Sequence, residues 1–172
     1  GRKIGLTSVV IQKMFGVDQP DYGMLFADMA IADGEEISSG RLIQPKIEGE
    51  IAFYLKDDLD GDALTSADVM AAIDYVVAAA EIVDSRIRDW DIGSLDTIAD
   101  NASSGVYVLG SEPRKLSELD LRMCGMVIEH KGEPVSVGAG AACLGNPITA
   151  ALWLARKMVE VGRPLKKGEL IL

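Results

Sequence analysis

The sequence predicts an α+β fold, a mixed and mostly-β roll or distorted barrel with flanking helices. Three observations predict it. Residues 43–56 alternate apolar and polar side chains with period two, residues 66–80 and 147–161 repeat apolar side chains with helical spacing, and strand-like stretches elsewhere outnumber the helices. The 172 residues suit one domain with a real core, and the sequence shows no repeat or Pro/Gly/Ser-rich linker.

The elements follow in order. Residues 1–8 begin inside a strand, and Gly168 to Leu172 begin another that stops short. Strands that end this way leave backbone groups unpaired, so the single domain, residues 1–172, reads as a fragment lacking N-terminal and C-terminal segments. In 43–56, Ile43, Pro45, Ile47, Ile51, Phe53 and Leu55 share one face, and Gln44, Lys46, Glu48, Glu50, Tyr54 and Lys56 share the other. In 66–80, Val69, Ala72, Ile73, Val76, Val77 and Ala80 follow the i, i+3, i+4 rule, with Thr65 and Asp68 placed as a capping box. Residues 147–161 have Asn146 to cap them, Pro147 at the first helical position and Gly162 to end them. Residues 82–88, 105–109, 121–130 and 134–137 read as strands, with His130-Lys131-Gly132-Glu133 as a hairpin turn.

Composition removes several classes of function. A formal net charge of −10 argues against a nucleic-acid partner and against a basic membrane-surface helix. No apolar run is long enough to span a membrane. Cys124 and Cys143 are too few for a disulfide framework, so they read as reduced thiols of a cytoplasmic protein. A single histidine, His130, rules out a zinc site with several histidine ligands. It falls in an exposed hairpin turn and is assigned no role. Gly138-Ala139-Gly140 lacks the third glycine and the following helix of a dinucleotide loop.

Glu48-Gly49-Glu50 lies in the alternating segment. Side chains at i and i+2 of a strand point the same way, roughly 6.5–7 Å apart. Two such carboxylates can converge on one hard divalent cation, which prefers oxygen ligands. Gly49 lets another element pack close. The same alternation also describes the wet face of a half-buried strand, and pattern alone leaves both readings standing. Glu81 falls where helical spacing gives way to Ile82-Val83-Asp84. There it is either a third oxygen ligand at a helix-to-strand junction or a solvated glutamate opposing the helix dipole. Lys3 is a candidate for binding a substrate carboxylate or moving a proton, or else a surface lysine. Asp21, in the turn-type cluster Asp18 to Gly23, is an acid–base candidate or a loop anchor. Asp100-Asn101-Ala102-Ser103-Ser104-Gly105 offers amide and hydroxyl donors for a carboxylate or enolate, and also fits a plain turn.

These segments in this order resemble the fumarylacetoacetate hydrolase superfamily, in the branch of 2-hydroxypenta-2,4-dienoate hydratase and 4-oxalocrotonate decarboxylase. The resemblance runs through essentially the whole chain. It rests on Gly1-Arg2-Lys3-Ile4-Gly5-Leu6-Thr7, Gly16 to Gly23, Gln44-Pro45-Lys46-Ile47-Glu48-Gly49-Glu50-Ile51-Ala52-Phe53, Asp84 to Trp90, Asp100 to Gly105 and Trp153-Leu154-Ala155-Arg156. It implies a fumarylacetoacetase C-terminal-domain-like fold with Mg²⁺ or Mn²⁺ on Glu48, Glu50 and Glu81. It implies Lys3 and Asp21 as catalytic groups, with Asn101 and Ser103 touching substrate. The branch more often has Ala where Gly49 stands.

The implied reaction is a lyase step, in the breakdown of aromatic compounds by meta-cleavage. Water is added to 2-hydroxypenta-2,4-dienoate to give 4-hydroxy-2-oxopentanoate. A metal on three carboxylates can chelate a 2-oxo or 2-hydroxy acid through its C1 carboxylate and C2 oxygen and stabilise charge there. The alternatives are the sister decarboxylation and a non-catalytic truncated subunit. The resemblance also implies a homo-oligomer and association with a pathway enzyme.

Overall fold

The computed structural model describes residues 1–172 apart from the side chain of Ser94. The elements are β1 (Arg2–Gly5), α1 (Val9–Phe15), β2 (Asp21–Met24), β3 (Ala30–Ile31), β4 (Pro45–Leu55), α2 (Ser66–Ala72) and β5 (Ile73–Asp84), then α3 (Ser94–Ala99), β6 (Ser104–Leu109), β7 (Gly125–His130), β8 (Glu133–Ala139), α4 (Pro147–Glu160) and β9 (Leu170–Ile171). The α+β expectation holds. A mixed seven-stranded sheet runs in the order β2-β1-β9-β4-β5-β6-β3, and β7-β8 form a separate hairpin.

The long antiparallel pair β4–β5 is the spine of the sheet. The period-two reading of β4 holds for its second half, where Phe53 and Leu55 are buried. Two positions depart from the pattern: in the first half Ile47, on the predicted core face, is 57% exposed, and in the second half Ala52, on the other face, is fully buried. Both faces of the sheet therefore carry apolar packing. One holds Phe53, Leu55 and Val76 under α4, and the other holds Ala52 and Val77 with Leu25 and Leu172.

The helix expected over 66–80 is a correction. The capping box forms, with Asp68 Oδ2 accepting from Thr65 N at 2.8 Å, but α2 ends at Ala72 and residues 73–84 are strand. β5 lies between β4 and β6, with both faces partly covered. A strand buried on both faces carries a near-continuous apolar run, and such a run satisfies helical spacing by accident. Ile73, Tyr75, Val76 and Val77 also favour strand through side-chain shape.

Smaller departures follow the same logic. β7 starts at Gly125, because residues 121–124 form a turn closed by Cys124 N donating to Asp120 O at 2.8 Å. Asp21 to Met24, part of the predicted turn cluster, pair with β1. The short helices α1 and α3 are too brief to show a period in the sequence. The hairpin turn is as expected, with Lys131 and Gly132 both at positive φ.

Helix α4 anchors the core. Asn146 Oδ1 accepts from Ile148 N at 2.9 Å, Pro147 opens the helix and Gly162, at φ 71°, follows its end. Leu154, Ala155 and Met158 pack with Leu55, Val69, Leu165 and Ile171 in one cluster. Among the described residues no helix is long and apolar enough to cross a membrane.

Leu154 is fully buried at the centre of this cluster. Leu154→Ala is expected to lower the unfolding free energy by about 3 kcal/mol. Urea denaturation reads this as a lower midpoint at unchanged slope.

Candidate metal centre

The register of β4 on β5 builds the site. Glu48 lies directly opposite Glu81, and Glu50 lies opposite Ala79. Period two puts Glu50 on the face of Glu48, so the three carboxylates meet over two strands. One oxygen of each lies within 4.8 Å of the others. Glu81 is thus not at a helix end, as the sequence suggests, but within β5. The helix-dipole account of it falls away with the helix.

Gly49 points to the opposite face. A Cβ placed there would lie 2.1 Å from Sδ of Met126, so the absent side chain lets the β7–β8 hairpin pack directly on β4. That opposite face lines a cavity of about 860 Å³ whose walls include Gly49, Ile51, Phe53, Leu121, Met126 and Cys143, with Glu48 and Glu50 at its border. Burial pushes the Cys143 thiol up, against a lowering hydrogen bond from Thr7, and the charge of Glu50 raises it further.

Three carboxylates share little positive charge. Burial, then the charges of Glu81 and Glu48, push the Glu50 carboxyl up to about 8. Burial also raises Glu81, although the ammonium of Lys3 pulls the other way. Lys3 is 2% exposed and reaches from β1 to donate to Glu81 Oε1 at 2.6 Å and to the carbonyl of Ala102 at 2.7 Å. A buried pair of this kind becomes strongly destabilising when one partner is removed.

Asp21 begins β2 and pairs in register with Gly5 of β1. It is buried, its Oδ2 accepts from Thr97 Oγ1 at 2.7 Å, and its charge contributes to raising Glu81.

The loop after α3 is a left-handed turn. Asn101, Ala102 and Ser103 all have φ between 51° and 57°. Such residues cost roughly 1–2 kcal/mol each, so the surroundings must hold them. Asp100 accepts from Ser85 Oγ and Ser103 Oγ at 2.9 Å each and from Arg86 Nε at 2.6 Å. Burial acts to raise the Asp100 carboxyl, but these hydrogen bonds and the Arg86 charge outweigh it and hold it low. Asn101 clamps the backbone of Met24, accepting from its N–H at 2.7 Å and donating to its carbonyl at 2.9 Å.

The structure therefore brings Lys3, Glu48, Glu50 and Glu81 into one cluster, with Asp21 beside it. It does not bring the side chains of Asn101 and Ser103 there as free donors, because both are engaged in shaping the turn. The loop meets the cluster through the Ala102 carbonyl, a backbone acceptor that no side-chain pattern can reveal. Thr97 and the Ser85–Arg86 anchor are likewise absent from the sequence-derived candidates. Arg86 had a signal, since it lies in a segment that carries the family resemblance. Thr97 had none.

A curled mixed sheet with few flanking helices, carrying a carboxylate cluster across its central strand pair, defines the class as one with the fumarylacetoacetate hydrolase-like fold. The structure matches 4-oxalocrotonate decarboxylase from Pseudomonas putida G7, complexed with magnesium and adipate, at TM-score 0.96 and 40% identity. That match covers 100% of this chain and 65% of that one. It matches fumarylpyruvate hydrolase from Pseudomonas aeruginosa, in complex with Mn²⁺ and pyruvate, at TM-score 0.73 over 99% of this chain and 75% of that one. The identity there is 13%, so this likeness concerns the fold alone. No family model matches the chain.

Curated relatives narrow the class. The 2-hydroxypent-2,4-dienoate hydratase of Pseudomonas putida is 50% identical over 163 residues, 94% of this chain and 73% of that protein. The TodF product hydratase of Pseudomonas putida strain F1 is 63% identical over all 172 residues, and the 2-keto-4-pentenoate hydratase of Paraburkholderia xenovorans is 59% identical. The chain belongs to the 2-hydroxypent-2,4-dienoate (2-keto-4-pentenoate) hydratase family. It spans 64% of the length of the last two relatives.

The raised Glu50 carboxyl has a consequence for stability. A group whose folded-state pKa exceeds its unfolded value stabilises the fold fully below the unfolded value and loses that contribution as pH rises through the folded one. For Glu50 the window runs from 4.5 to about 8. In chelator, the melting temperature is expected to fall across this window, and Glu50→Gln is expected to flatten the fall. Thermal melts at several pH values check both.

Proposed function

We propose that Glu48, Glu50 and Glu81 bind one divalent cation, and that the chain carries the catalytic centre of a hydro-lyase. Its reaction is the addition of water to 2-hydroxypenta-2,4-dienoate to give 4-hydroxy-2-oxopentanoate. The observation that carries this reading is the β4–β5 register, which gathers oxygens of three carboxylates within 4.8 Å of one another, with Lys3 bonded to one of them, Glu81. Oxygen-only donors with uncompensated negative charge suit Mg²⁺ or Mn²⁺. The hydratase names of the relatives and the magnesium of the decarboxylase structure support the reading.

The cation, when bound, supplies Lewis-acid stabilisation of the negative charge on a 2-oxo acid's oxygen. The chain's own residues do the rest. Glu81 accepts from Lys3 at Oε1 and would also help to hold the cation. The Lys3 ammonium has three N–H groups. Two are given to Glu81 and Ala102, and the third is left for a substrate carboxylate or a proton transfer. Asp21 is the second proton-transfer group, and Asn101 and Ser103 contribute by holding the turn against which Lys3 rests.

The likeness to the decarboxylase structure favours one second reading, loss of CO₂ from 4-oxalocrotonate with the same enolate stabilisation. Steady-state assays with Mn²⁺ on both substrates separate the two. Hydration without CO₂ release is expected, and CO₂ release without hydration would overturn the first reading.

Glu48→Gln and Glu50→Gln are each expected to weaken Mn²⁺ binding at least about tenfold, since losing even an outer-shell partner of a metal ligand costs about that much. Titration followed by calorimetry or electron paramagnetic resonance measures it. Unchanged affinity would remove the metal centre and favour a non-catalytic associating subunit.

A further inference from the structure

We infer that Thr97 is a positioning residue for Asp21: its hydroxyl fixes Oδ2 and leaves Oδ1 as the oxygen that exchanges a proton with substrate or water. This rests on Asp21 being a proton-transfer group, as proposed above.

The geometry singles out the two oxygens. Asp21 is 8% exposed. Oδ2 accepts from Thr97 Oγ1 at 2.7 Å. Oδ1 is buried and has no hydrogen-bond partner among the described residues. An unpaired buried acceptor is unfavourable, and native structures keep few without a reason. Gly5, the in-register neighbour, makes room for it, since a Cβ there would lie 2.0 Å from Oδ1. A threonine hydroxyl has one hydrogen, and here it goes to Oδ2. A proton carried by Asp21 therefore sits on Oδ1.

Thr97 also ties Asp21 to Lys3. Its carbonyl accepts from Ala102 N at 2.7 Å, and the Ala102 carbonyl accepts from Lys3 Nζ at 2.7 Å. Its own N–H donates to Gly93 O at 3.0 Å, inside the first turn of α3. Three hydrogen bonds, joined by the covalent segments of Thr97 and Ala102, thus link the two proton-transfer groups. Misplacing a reacting group by about 1 Å is enough to slow a reaction roughly 100-fold.

The test uses Thr97→Val, which keeps the shape and loses the hydroxyl, and Thr97→Ser, which keeps the hydroxyl. Thr97→Ala repeats the test where Val is not accommodated. Expected for Thr97→Val is a fall in kcat of roughly 10- to 100-fold, with KM, Mn²⁺ affinity and melting temperature little changed. Thr97→Ser is expected to restore most of kcat. In the Asp21→Asn background, adding Thr97→Val is expected to change kcat no further. Near-normal kcat in Thr97→Val beside an inactive Asp21→Asn would overturn the role of Thr97 alone. An equal fall in Thr97→Ser, or additive losses in the double variant, would do the same. An active Asp21→Asn would overturn the reading of Asp21, and this inference with it.

Discussion

The register between β4 and β5 is the constraint on which the rest of this molecule depends. A slip of one residue would turn Glu48 and Glu50 to the opposite face, because side chains alternate with period two. Several contacts hold the register. At one end Lys56 N donates to Ala72 O at 2.8 Å, where α2 gives way to β5. In the middle Phe53 stands opposite Val76 and Ala52 opposite Val77, each on a different buried face. At the far end Asp84 Oδ1 accepts from the backbone N–H groups of Ile43 at 3.0 Å and Gln44 at 2.7 Å. The carboxylates therefore sit on a pair of strands fixed at both ends and through the core.

Holding them there works against electrostatics. At an effective dielectric constant of about 20, two charges 4 Å apart repel by about 4 kcal/mol. The raised Glu50 and Glu81 carboxyls express that repulsion together with their burial. Lys3 offsets part of it, and its own burial is tolerated because both Glu81 and the Ala102 carbonyl accept from it. The ammonium in turn requires that carbonyl to face inward, which the left-handed turn at Asn101 to Ser103 provides. Asp100, Ser85 and Arg86 hold that turn from behind.

What the sequence revealed follows from range. The alternation of 43–56, the capping signals of α4 and the 130–133 turn are local, and each is legible where it stands. Glu48 and Glu50 share a face for the same local reason. Glu81 meets them through strand pairing across a long separation, which no local pattern encodes. Family resemblance named it, while periodicity put it on the wrong element. The 66–80 segment misled because burial on both faces of β5 erased the alternation that marks a strand. Asn101 and Ser103 were legible as polar groups but not as anchors, since their partners Met24 and Asp100 depend on the folded turn. Thr97 and the Ala102 carbonyl carry no signature at all, one being an ordinary helix residue and the other backbone.

Three departures from ordinary structural rules lie close together, although other non-glycine residues at positive φ, such as Asp89, Trp90 and Lys131, stand elsewhere. Three consecutive non-glycine residues in the left-handed region, a buried carboxylate oxygen without a partner and a glutamate held far above its usual range all lie on or against the elements around Lys3. A fold selected for stability alone would remove each by a simple substitution, a glycine in the turn, an asparagine at Asp21 or a glutamine at Glu50. Local rules are broken where function compensates for the loss. Each departure here also has a use in the proposed chemistry: the turn aims a carbonyl at Lys3, the unpaired Asp21 oxygen would take a proton, and the crowded carboxylates would be relieved by a cation. That these three costs gather in one small region is in keeping with the catalytic centre proposed there.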